Sequence, residues 1–126
     1  MTRSVMLRLG VAGSTLLLVL MFAGSALAAE LTFDLPIEHG QVAEAKRLVR
    51  VHQGDVVQLR WTSDQPLTVH LHGYDIEKRV AAQGVTEMNF TAGTTGRFPI
   101  ELHSAAAGGG TAHGAAPLAV LEVYPR

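Results

Sequence analysis

There is no cysteine among the 126 residues of this chain. Disulfides are therefore excluded, and so is any thiolate ligand or thiol nucleophile. Positive charge is not in excess either, with 10 Lys and Arg against 11 Asp and Glu. Without a basic stripe to gather phosphates, nucleic acid is not an expected partner. After residue 28 no apolar run is long enough to span a bilayer. A phosphate-cradling glycine loop is also missing, and Ser104, although it follows His103, has no nucleophile elbow around it.

What is present begins with a basic and greasy start. Arg3 and Arg8 precede the run Leu16-Leu17-Leu18-Val19-Leu20-Met21-Phe22, and Ser25-Ala26-Leu27-Ala28-Ala29 supplies small residues after it. These three parts predict a signal peptide over residues 1–28, cut after Ala28. Removing 28 residues leaves a domain of 98, residues 29–126, with 8 basic and 11 acidic side chains and a net charge of −3. That length suits one sandwich, held by its apolar core alone. The expected product is periplasmic or secreted and free of the membrane, and with no cysteine near the cut it has no lipid anchor.

Period-two alternation dominates the rest. Leu31, Phe33 and Leu35 predict a first strand ending at Pro36. Val49 and Val51 predict a second, and after a turn at Gly54-Asp55 the residues Val57, Leu59 and Trp61 share one face of a third. Leu67, Val69 and Leu71 then oppose Thr68, His70 and His72, with Gly73 as the stop. Ile76 to Val80, Val85 to Thr91 (Met88 and Phe90 on one face), Arg97 to His103 and Leu118 to Tyr124 complete the set. Only Val42 to Arg47 has room for a helical turn. Seven to eight short strands with regular turn signals predict an all-β Greek-key β-sandwich. Ala105 to Ala116, made almost wholly of Ala and Gly, reads as a mobile loop.

All six histidines follow the predicted cut, at positions 39, 52, 70, 72, 103 and 113. His39 and His52 read as solvated surface residues. Side chains at i and i+2 of a strand leave the same face, roughly 7 Å apart, so His70 and His72 point together, as do Glu101 and His103. If those two strands are neighbours, three imidazoles and a carboxylate converge into a set of ligands suited to Cu(II) or Zn(II). His113 could join from the loop. Asp64 and Asp75 flank the His-x-His strand and could orient an imidazole, although turn formation accounts equally well for Asp64. Met88 and Trp61 read as core.

From about Leu48 to Tyr124 these residues resemble the cupredoxin superfamily. Val51 to Leu59, followed by Trp61-Thr62-Ser63-Asp64, is similar to the hairpin that leads to the first copper-ligand region of such domains. His70-Leu71-His72-Gly73 resembles the His-x-His-Gly motif of multicopper oxidases, and the resemblance implies that both histidines bind copper. Gly96 to His103 is similar to the approach to the second ligand cluster, and His113 falls in the general place of the later loop histidine. Leu102 stands where the family has its copper thiolate, Glu101 where it often has a further histidine, and no methionine follows His113. A blue copper site is therefore excluded, and an oxidase would need paired motifs from at least two such domains.

The resulting expectation is an exported, non-enzymatic copper-binding protein, with zinc as the other candidate metal. Its site would be drawn from His70, His72, His103, His113 and Glu101, and its role would be carrier, chaperone or sequestering protein, with another exported protein as partner in metal transfer. The competing expectation is a metal-free sandwich used for protein interaction.

Overall fold

The computed structural model describes residues 27–103 and 116–126. Among them are nine strands and one 3-10 turn. The strands are β1 (Glu30–Glu38), β2 (Gln41–Val42), β3 (Leu48–His52), β4 (Val56–Ser63), β5 (Leu67–Leu71), β6 (Ile76–Val80), β7 (Thr86–Thr91), β8 (Gly96–His103) and β9 (Ala119–Tyr124). Eight correspond to the strands expected from the alternation pattern. The ninth, β2, has two residues, too few to leave a periodic signal. The expected helical turn is the 3-10 segment Glu44–Lys46.

Two sheets face each other, one ordered β2-β1-β4-β7 and the other β3-β9-β8-β5-β6. This is the β-sandwich that the alternation predicts. The strands bury one face of the pleat, and Leu35, Ile37, Val49, Val51, Val57, Leu59, Trp61, Val69, Leu71, Met88, Ile100 and Leu121 are almost wholly removed from water. At roughly 1.5–3 kcal/mol for each large side chain, this core is what holds a fold without disulfides. Trp61 and Met88 lie in it, as their periodicity indicates.

Two local expectations are corrected. β1 does not end at Pro36 but runs on to Glu38, with Pro36 in register with Thr62 of β4. On its other side β1 pairs only at Ile37 and Glu38, so Pro36 lies where β1 is an edge strand, the position at which a sheet tolerates a missing N–H. The segment from Val51 to Leu59 is not a hairpin: β3 pairs in parallel with β9, whereas β4 pairs with β1 and β7 in the opposite sheet. The Gly54-Asp55 turn therefore crosses from one sheet to the other. Gly54 has φ +93°, a conformation that glycine reaches without steric cost.

Ala105–Ala115 and His113 within it, the adjacent Ser104, and most of the predicted signal peptide lie outside the described residues.

Candidate metal centre

β5 sits between β6 and β8, antiparallel to both. Val69 and Leu71 enter the core, so the pleat turns Thr68 and His70 to the outer face of the five-stranded sheet. The register with β8 sets His70 opposite Glu101 and Thr68 opposite His103. His72 lies one residue beyond β5, yet its backbone N–H still donates to Pro99 O at 3.0 Å. Its side chain therefore keeps the phase of His70.

The neighbouring-strand condition is thus met. The His70 ring centroid lies 4.2 Å from that of His72 and 5.2 Å from that of His103. One ligand nitrogen from each of the three lies within 4.8 Å of the others. A metal held at about 2.0–2.1 Å from each imidazole is within reach of these nitrogens through side-chain torsions.

Two of the rings present nitrogens that no described residue satisfies. His70 Nδ1 and His103 Nε2 are buried and have no hydrogen-bond partner among the described residues. An unpaired buried polar atom costs roughly 1–3 kcal/mol, so a ligand that accepts a lone pair there relieves a real penalty. Neutral imidazoles without a thiolate form a donor set suited to Cu(II) or Zn(II). The residues present therefore fit such an ion.

A carboxylate stands beside each ring. Glu101 Oε2 is 2.9 Å from His72 Nε2, a hydrogen bond. Asp75 Oδ1 lies 3.9 Å from His70 Nε2, and Glu77 Oε2 lies 3.8 Å from His103 Nδ1. At His70 and His103 the carboxylate faces one ring nitrogen and the orphaned lone pair belongs to the other. At these separations Asp75 and Glu77 place negative charge beside the rings without a hydrogen bond, and of the three carboxylates Glu101 alone is bonded to an imidazole and so placed to hold its tautomer.

Of the two aspartates singled out in the sequence, only Asp75 belongs here. Asp64 Oδ2 accepts the backbone N–H of His39 at 2.9 Å and serves the turn. His39 and His52 are exposed and outside the three-histidine group. Glu77 escaped the sequence reading. It pairs directly with His70 in the β5–β6 ladder, and recognising residues 72–75 as a hairpin turn would have revealed it.

The turn carrying His72 is pinned from below. Gly73 has φ +84°, and a Cβ at that position would enter the Phe98 ring. Tyr74 packs edge-on to Phe98 with centroids 4.9 Å apart, and its hydroxyl donates to Thr94 O at 2.8 Å. Leu102 faces the other way, packing on the core and not on the imidazoles. A thiol at that position would lie on the opposite face of the sheet from His70, His72 and His103.

No family model matches the chain, and no curated protein matches it. Solved structures do. A heme-copper terminal oxidase chain superposes with a TM-score of 0.61 at 18% identity, covering 75% of this chain and 64% of the other. The periplasmic domain of subunit II of the Bradyrhizobium japonicum cytochrome oxidase gives 0.57 at 16%, covering 75% and 84%. The multicopper oxidase mgLAC gives 0.56 at 19%, covering 79% and 40%. The fold is that of the cupredoxins. This cupredoxin-like domain spans less than half of mgLAC and under two thirds of the heme-copper oxidase chain, and at these identities the likeness is one of architecture.

Proposed function

We propose that this cupredoxin-like domain is exported, cut before Ala29, and binds copper through His70, His72 and His103 as a carrier, chaperone or sequestering protein rather than as an enzyme. The observation that supports this reading is the pair of buried ring nitrogens, without a hydrogen-bond partner among the described residues, within a three-imidazole cluster. Copper enters the reading because the domain shares its fold with a heme-copper oxidase and a multicopper oxidase. Zinc is the alternative ion. Export is suggested by the basic, apolar and small-residue order of positions 3–29, and the likeness to a periplasmic oxidase domain agrees with it.

The mechanism is ligation. Neutral imidazoles offer lone pairs, Glu101 orients His72 or completes the coordination, and His113 is a further candidate ligand. A divalent ion held this way is released when protons take the nitrogens or when a partner offers a better ligand set. Without a thiolate the domain has no means of forming a blue electron-transfer centre.

Elemental analysis of the protein isolated from its exported location tests the proposal. One copper per chain is expected, and a His70→Ala, His72→Ala double variant should contain none. Stoichiometric copper in that variant would refute the ligand set. A native protein with neither copper nor zinc, whose melting temperature neither ion raises, would favour a metal-free interaction module, since an ion that binds the folded state must stabilise it.

A further inference from the structure

In the Gly54-Asp55 crossing between β3 and β4, Asp55 is a carboxylate with a side chain only 2% exposed. Its Oδ2 accepts the His52 backbone N–H at 2.8 Å. Its Oδ1 receives the Arg126 guanidinium and, at 3.0 Å, the backbone N–H of Ala29. The Ala29 carbonyl in turn accepts the Val56 N–H at 2.9 Å. Ala29 is therefore the first residue paired to β4, just before β1 begins at Glu30. Leu27 and Ala28 are exposed, and the contact found there is the Arg126 Nη1 bond to Leu27 O at 2.9 Å.

We propose that Asp55 is the receptor for the amino terminus that processing creates: cleavage before Ala29 converts a neutral amide donor on a buried carboxylate into an α-ammonium, and so tightens the fold at the moment of maturation. This rests on the export reading and is independent of the metal. The step is a hydrolysis by an export-associated endopeptidase. Water adds across the Ala28–Ala29 amide, leaving the Ala28 carboxylate on the leader and a protonated amine on Ala29.

The physical reason is the change in the donor. A charge-assisted hydrogen bond to a carboxylate is roughly twice as strong as a neutral one. Ala29 is exposed, so its ammonium keeps most of its hydration while one N–H meets Asp55, and the desolvation that makes buried ion pairs costly is small here. Arg126, released from Leu27 O, retains its contacts to Asp55 and to Gln53 O. The Asp55 carboxyl is already held below its ordinary range by the His52 and Ala29 N–H groups and by Arg126, which keeps it ionised and ready for a cation.

Four proteins test this, all melted with EDTA present so that metal does not contribute. They are the protein beginning at Ala29 with a free amine, the same protein N-acetylated, one beginning at Leu27, and the free-amine protein carrying Asp55→Asn, itself compared with its N-acetylated form. The free-amine protein should melt about 4 °C or more above the acetylated and Leu27-initiated forms. Acetylation should have no effect in the Asp55→Asn background. Equal melting temperatures in the first comparison would overturn the receptor role, as would an acetylation effect that survives Asp55→Asn. If Asp55→Asn does not fold, the first comparison decides. Separately, amino-terminal sequencing of the exported protein should begin at Ala29, and any other first residue would overturn the cut itself.

Discussion

His72 Nε2 and Glu101 Oε2 lie 2.9 Å apart across the boundary between β5 and β8. Glu101 also stands directly opposite His70 in the ladder. One carboxylate thus bonds one imidazole and flanks the strand position of a second, and it occupies a position where cupredoxin motifs often have another histidine. Whether it holds the His72 tautomer or ligates, its negative charge favours a divalent cation in the cluster.

Glu101→Gln retains the shape and removes the charge. Copper affinity is expected to fall about 10–100-fold, the usual cost of losing an outer carboxylate, with one ion per chain still bound. Competition titration against a calibrated chelator measures this. An unchanged affinity would show that Glu101 has no part in the site.

Loaded with Cu(II), the protein should give a type 2 electron paramagnetic resonance spectrum and no intense blue absorption, because nitrogen and oxygen donors lack the thiolate charge-transfer band. The same spectrum in the His70→Ala, His72→Ala double variant would contradict the ligand assignment.

Gly73→Ala forces a side chain into the Phe98 ring at a φ that L-residues avoid. Overpacking and left-handed strain together should destabilise the domain by about 2–4 kcal/mol, as read by denaturant titration. Copper binding should weaken as well, since His72 loses the support of its turn. A neutral outcome would mean that the turn relaxes freely.

Acid should unfold this domain through its paired carboxylates. Asp55 is held below the ordinary value of an unfolded aspartate, chiefly by the His52 N–H, with Ala29 and Arg126 adding to it. Glu122 is held below that of an unfolded glutamate by the Tyr124 hydroxyl, then by Arg50 and Arg97. A depressed folded value means the stabilisation is complete above those unfolded values and is lost as pH falls through them toward the lower folded ones. The melting temperature should therefore hold steady down to about pH 5 and drop below it. Glu122→Gln should flatten that acid limb; an equally steep limb in the variant would remove Glu122 from the explanation.

Much of this protein was written in local pattern. The alternation of Val57, Leu59 and Trp61, or of Leu67, Val69 and Leu71, dictates a strand with one buried face, because side chains on a pleat alternate by necessity. The same rule put His70 with His72 and Glu101 with His103, and the absence of cysteine ruled out a thiolate centre before any fold was known. Pairing between distant segments is not local, and it decided the rest. Only the ladder shows that β5 and β8 are neighbours, which turns two separate pairs of side chains into one cluster. Only the crossing at Gly54-Asp55 reveals that β3 and β4 belong to different sheets. Glu77 reaches the site through the partner strand of a hairpin, and Asp55 meets Ala29 and Arg126 across separations of 26 and 71 residues. Periodicity assigns a residue to a face; hydrogen-bonded register between strands decides which faces meet.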